Sequence, residues 1–192
     1  GLPLVETDVT KHYAGNYNPD WTGGIVNTFQ YKSWTLSFQI DMRKGGVLVS
    51  GTQALLAANG SSQLTLPNRE TGFVVPNSVT QGGAANSKVV SAQDYWMAVA
   101  GANPVGELFT YDATNVRLRE ASLSYSLPAR RLAGKFLKGA SLSLVGRNLF
   151  FFKNNAYGFD PESAIGTGNN QGLEYTSVPA TRNYGLYLKL NF

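Results

Sequence analysis

The stretch Trp34 to Arg43, "WTLSFQIDMR", alternates without a break. Trp34, Leu36, Phe38, Ile40 and Met42 share one parity, and Thr35, Ser37, Gln39, Asp41 and Arg43 share the other. Successive side chains of a strand project to opposite faces, so the pattern predicts a strand with one apolar and one polar face. A helix would scatter the same residues around its axis. The segment "TRNYGLYLKLNF" repeats the pattern, with Arg182, Tyr184, Leu186, Leu188, Leu190 and Phe192 set against Thr181, Asn183, Gly185, Tyr187, Lys189 and Asn191. Three more segments read as strands. "GIVNTFQY" alternates moderately and meets the Trp34 strand through Lys32 and Ser33 alone. A third strand sets Ala121, Leu123, Tyr125 and Leu127 against Ser122, Ser124 and Ser126, and a fourth follows the basic link "PARRLAGKFLKG". The fold class is therefore all-β, with antiparallel strands at about 24–31, 34–43, 116–127, 140–152 and 181–192. The links run short, long, short, long, the long ones covering about 44–115 and 153–180. Such asymmetry suits an up-and-down sheet that carries function at one end and only reverses the chain at the other.

A soluble β-sandwich shows the same alternation, and three features favour a lipid face instead. The strands beyond the first are about 10 to 13 residues long, above the common 5–6 and right for a tilted membrane strand. Aromatics collect at strand ends: Tyr31, Trp34, Tyr125 and Phe192 at the short-turn end, Phe150, Phe152 and Tyr184 at the long-loop end. That distribution suits two interfacial girdles. The charges are also expected at consistent depth. Arg182 has apolar-face parity, and Arg117 and Arg119 share the parity of Leu123 and Leu127. At ~45° tilt each residue climbs about 2.4 Å, so Arg182 above Phe192 and Arg117 above Leu127 both reach roughly 24 Å, the edge of the hydrocarbon band.

Composition narrows the classes. The 192 residues are 15% charged and 43% hydrophobic, with 21 Gly, 10 Tyr and 10 Phe, a mixture suited to β structure with many turns. The absence of Cys excludes disulfides and thiolate metal sites. No apolar run is long enough for a transmembrane helix, and "GLPLVETDVTKHY" has neither the basic start nor the apolar core of a signal peptide. The sequence reads as a mature chain or a piece of a longer one. Sheet edges cannot face hydrocarbon, and five strands are fewer than the eight of the smallest outer-membrane barrels. The five transmembrane strands are therefore expected to be part of a larger barrel.

Several segments, in this order, resemble a known family: "GNYNPDWTGGIVNTFQYKSWTLSFQIDMRKGG", "TNVRLREASLSYSLP", "GRNLFFF", "GFDPE" and the strand ending at Phe192. They look like the C-terminal end of SusC/RagA-type TonB-linked outer-membrane transporters of Bacteroidetes, over most of the chain from Gly15. The resemblance implies the C-terminal part of a 22-stranded barrel, with the plug domain absent from this sequence. It further implies import of glycan or peptide fragments together with a SusD-like surface lipoprotein, with energy from TonB acting through the plug. Partners would then be the remaining barrel strands and plug, the lipoprotein, outer-membrane lipid and the barrel-assembly machinery. Such machinery reads a final strand with a terminal aromatic, which here maps to Tyr184, Leu186, Leu188, Leu190 and Phe192. The location implied is the outer membrane of a Gram-negative bacterium, with the C-terminus on the periplasmic side.

The motifs also have plain structural readings: "NPDWTGG" is a turn feeding a strand, and "GFDPE" an Asp-Pro turn in an outer loop. Candidate substrate contacts are Arg147 in the wall and Tyr95, Trp96, Phe109 and Tyr111 in the first long loop, since aromatic platforms suit sugars and peptides. The same aromatics could instead pack on their own protein. An enzyme is not expected, because a Ser-His-Asp site would rest on His12, the single histidine. Asp160 and Glu162 are explained by their turn, and "NNAYGFDPESAIGTGNN" lacks Ca²⁺-loop spacing. No cofactor or metal is expected. Arg130, Arg131, Lys135 and Lys138 suit lipid head groups at the periplasmic leaflet or a solvated turn better than nucleic acid. The competing reading is a non-transporting structural or binding β-protein, either a surface adhesion module or a barrel piece tied to other machinery. A folded, detergent-free monomer of the chain would favour it.

Overall fold

A computed structural model describes residues 1–6, 8, 10, 12–128, 136–156 and 158–192. The chain divides into two compact units, one of Asn18–Gly46, Asp112–Ser163 and Val178–Phe192, the other of Gly1–Tyr17, Val47–Tyr111 and Ala164–Ser177.

The first unit is a five-stranded antiparallel sheet. Its strands are β1 (Trp21–Tyr31) and β2 (Trp34–Lys44), then β7 (Asn115–Leu127), β8 (Gly139–Asn154) and β10 (Asn183–Asn191). They lie side by side in the order β1-β2-β7-β8-β10, and the sheet does not close on itself. Lys32 takes a left-handed φ of 54° in the two-residue turn between β1 and β2.

Register explains the alternation read from the sequence, because residues directly opposite in neighbouring strands share a face. Phe29, Leu36, Leu123, Leu144 and Leu186 form one continuous row across all five strands. The next row is Tyr31, Trp34, Tyr125, Leu142 and Leu188, with the Trp34 and Tyr125 rings 4.7 Å apart. These side chains are exposed or half-exposed, as a face turned to lipid requires. The opposite face carries rows of small hydroxyl and amide groups, among them Gln30, Thr35, Ser124 and Ser143 leading to Tyr187. A hydrogen bond of 2.8 Å joins Ser124 and Ser143 along that row.

Neighbouring residues of β7 test the two faces. Ala121 lies opposite Phe38 and Gly146 on the apolar face, whereas Ser122 lies opposite Ser37. Arginine on the lipid side costs about 2–4 kcal/mol near the midplane, whereas lumen positions tolerate charge. Ala121→Arg is therefore expected to lower barrel stability in lipid by that order, and Ser122→Arg by much less. Equal losses from both variants in vesicle unfolding titrations would refute the facial assignment.

Sequence periodicity misplaced two arginines. The pairing of β7 with β2 shifts between Gln39 and Ile40, so Glu120 opposes Gln39 but Leu118 opposes Ile40. Arg119 is the extra residue, a β-bulge that reverses the alternation beyond it. Leu118 and Val116 join the apolar rows opposite Ile40 and Met42, while Arg117 faces Asp41. Arg117 thus lies on the polar face and not at the rim of the lipid band. Arg182 sits just ahead of β10 and is exposed.

The second unit shows that the long link after β2 is folded. β3 (Val47–Ser50) leads directly into α1 (Gly51–Ala58), and α2 (Ala92–Ala100) packs against α1. Ser50 caps α1, its hydroxyl accepting from the Gln53 N–H at 3.1 Å. The C-terminal end of α1 is closed by Gly60, whose φ of 67° lets its N–H reach the Ala57 carbonyl at 3.0 Å. Ser91 caps α2, accepting from Asp94 N–H at 3.0 Å while its hydroxyl donates to the Asp94 carboxylate at 2.7 Å. Two small sheets complete the unit. One has the order β6-β3-β9, formed with β6 (Thr110–Asp112) and β9 (Leu173–Glu174), and the other pairs β4 (Phe73–Val74) with β5 (Val89–Val90).

Candidate functional site

The polar face of the five-stranded sheet concentrates charge near the long-loop ends of β2, β7 and β8. Arg117 is ion-paired with Asp160 and lies 3.6 Å from Glu162, with only 4% of its side chain exposed. Its guanidinium also sits 4.2 Å from the centre of the Phe151 ring, directly opposite it in β8. Arg119 bridges Asp41 at 2.6 Å and Glu162 at 2.9 Å. The segment "GFDPE" is therefore both a turn and a clamp. Asp160 Oδ1 accepts from Glu162 N–H at 3.0 Å, the Asp160 carbonyl accepts from Ser163 N–H at 2.9 Å, and both acidic side chains reach arginines of β7. The bulge makes this possible by turning Arg117 from the apolar to the polar face, opposite Asp41.

Arg147 stands apart from the clamp. It lies opposite Glu120 in register, donates from Nε to Oε2 at 2.8 Å, and leaves 57% of its side chain exposed on the polar face. Its two terminal nitrogens make a fork suited to a carboxylate or phosphate. Asp112, at the corner before β7, is held below the ordinary carboxylate value of 3.8. Burial pushes it upward, but hydrogen bonds from the Thr114 hydroxyl and N–H and from Asn155, with the charge of Lys153, outweigh burial.

The aromatics of the first long link gather in the second unit. Phe109 is 1% exposed at the centre of a cluster with Ala54, Ala57, Val99 and Ala100. The expectation of Phe109 as a ligand contact is corrected, since a ring so enclosed has no free face. Tyr95, Trp96 and Tyr111 pack around this cluster and are half-buried. Tyr95 meets Phe73 at 5.1 Å and Trp96 at 5.3 Å, both edge to face. Trp96 also lines a cavity between the helices.

Tyr184, Leu186, Leu188 and Leu190 project from one face of β10, all exposed, and the exposed Phe192 ring meets Phe136 at 5.1 Å. β10 pairs with β8 along one side and forms an edge of the sheet. Of the basic link, Arg130, Arg131 and Lys135 lie outside the described residues, and the backbone N–H of Lys138 bonds to the Asn191 carbonyl at 2.7 Å.

No family model matches the chain. In sequence it is 28% identical over 191 residues to TonB-dependent receptor P3 of Formosa agariphila, covering 95% of this chain and 17% of that receptor. In structure it matches the RagAB peptide importer in its closed-closed state with a TM-score of 0.63 at 21% identity, and in its open-open state with 0.60 at 21%. A further structure of the RagAB peptide transporter matches with a TM-score of 0.62 at 20% identity. Each structural match covers 93% of this chain and 18% of the matched one, so the chain spans less than a fifth of the length of these relatives. In sequence the chain resembles a segment of a TonB-dependent receptor, and in fold it resembles a segment of a RagAB transporter.

Proposed function

We propose that these strands form barrel wall in a TonB-dependent outer-membrane transporter that imports nutrient oligomers, glycan or peptide fragments. One observation carries the reading: similarity to a TonB-dependent receptor along 95% of the chain, on a sheet whose outward rows are apolar in all five strands. The segment supplies wall through its apolar rows, lumen lining through its hydroxyl rows and Arg147, and surface loops through its long links. A SusD-like lipoprotein would share the cargo, TonB would act through a plug, and the C-terminus would lie on the periplasmic side. The exposed alternation of Tyr184 to Phe192 suits recognition by the barrel-assembly machinery.

The test is uptake by cells lacking the whole protein. Loss of uptake of one class of oligomer, restored by the wild-type gene and dependent on TonB, is expected. Unchanged growth on every glycan and peptide oligomer offered would overturn the proposal. Whether glycans or peptides are the ones lost identifies the cargo.

A further inference from the structure

A cavity of about 560 Å³ lies between the C-terminal end of α1 and the N-terminal end of α2. That volume is in the ~300–1,000 Å³ range of small-molecule sites. Asn59, Arg69, Gln93, Trp96 and Met97 line it above Ala57. Among the described lining residues Arg69 is the sole charged one, and its guanidinium is held along one edge. Nη2 donates to the Gly60 carbonyl at 2.7 Å and to the Thr65 hydroxyl at 2.6 Å, while Nε donates to the Thr65 carbonyl at 3.4 Å. Among the described residues Nη1 has no acceptor, so both its hydrogens can serve a ligand. Trp96 is held by its edge-to-face contact with Tyr95 and by the Phe109 cluster, so its indole is a fixed part of the wall. Asn59 donates its amide to the Leu55 carbonyl at 2.8 Å, leaving its own oxygen as an acceptor. Gln93 is exposed on the opposite side.

These groups specify a ligand. A fixed indole offers a flat apolar surface to the C–H face of a sugar ring. Side-chain amides can donate to and accept from neighbouring hydroxyls. A single preset guanidinium with no acidic neighbour in the lining favours an anion, and its planar N–H groups match a carboxylate. We propose that this cavity binds an acidic sugar unit of the uronate type, its ring against Trp96 and its carboxylate on Arg69. The assignment deepens the import reading and rests on it, naming the class of oligomer the loop unit selects. A peptide C-terminus would also satisfy Arg69, and the tripeptide probe below tests that occupant against the uronate.

The purified full-length protein in detergent is titrated calorimetrically with trigalacturonate, a neutral galactose trisaccharide, and a tripeptide with a free carboxylate. Trigalacturonate is expected to bind at least ten times more tightly than either other probe, with affinity falling as salt rises. Arg69→Gln should weaken it tenfold or more. Arg69 also ties Thr65 and Gly60, so Gln93→Ala on the facing wall gives an independent readout, a loss of several-fold in a variant with unchanged thermal unfolding. Equal binding of the neutral sugar, tighter binding of the tripeptide, or unchanged affinity in both variants would overturn the site. Uptake separates the two proposals. Oligomer import intact without trigalacturonate binding counts against this site alone, and binding intact without any import counts against the transporter reading.

Discussion

Arg117→Met is expected to lower the stability of the barrel segment by about 3–5 kcal/mol, the cost of leaving one member of a buried ion pair without its partner. The stranded group is Asp160, whose side chain is 11% exposed beneath the arginine. Arg147→Met provides the contrast. That pair with Glu120 is largely exposed, and exposed pairs are worth about 0–1 kcal/mol. The double variant Arg117→Met with Asp160→Leu should recover much of the loss, because both charges then leave together. Denaturant titrations in lipid or detergent give the free energies. Hydrogen exchange of the Glu162 and Ser163 amides, both bonded to Asp160, shows whether the turn itself opens. An Arg117→Met variant as stable as Arg147→Met would mean that the clamp contributes nothing beyond geometry.

Phe109→Ala should cost about 3–5 kcal/mol through the cavity it leaves. The ring fills the space among Ala54, Ala57, Val99 and Ala100, all small or short side chains that cannot extend to replace it. The loss is expected to appear as faster amide exchange in α1 and α2, while the five long strands keep their protection. Phe109→Leu should fall between the two, since it restores part of the volume. If Phe109→Ala weakened ligand binding while exchange in both helices stayed unchanged, the ring would be a contact surface and not a core.

The legible part of the fold was the part governed by local period. β2 and β10 alternate because one face meets lipid, and that constraint acts at every residue, so sequence parity alone reveals it. The bulge at Arg119 escaped because a bulge is a property of two strands in register, and no residue type in "NVRLREASLSYSL" announces one. The partners of Arg117 and Arg119 were hidden for a similar reason. Asp160 and Glu162 are 43 positions from them in the chain, and their turn chemistry already accounted for both. The helices are a different case, since the sequence carries a local signal for both. Ser50 with Gln53, and Ser91 with Asp94, have the spacing of helix caps, each followed by alanine-rich sequence. Of the candidate contacts, Arg147 has the wall position its parity implied. The four loop aromatics were recognisable as a group, but sequence could not say that Phe109 forms the centre and Trp96 the margin.

The extra residue in β7 has a consequence for how this strand can change. Deleting Arg119 would remove the extra residue and leave both faces as they are, because Glu120 and Leu118 already alternate opposite Gln39 and Ile40. Forcing Arg119 into the ladder as an ordinary paired residue is the change that would turn Arg117 into hydrocarbon, and Leu118 and Val116 into the water-filled interior. Residue 119 acts like a phase marker in the strand. A substitution there alters the contacts with Asp41 and Glu162, and its own deletion keeps the faces in phase. An insertion or deletion of one residue at a paired position exchanges the inside and the outside of everything upstream.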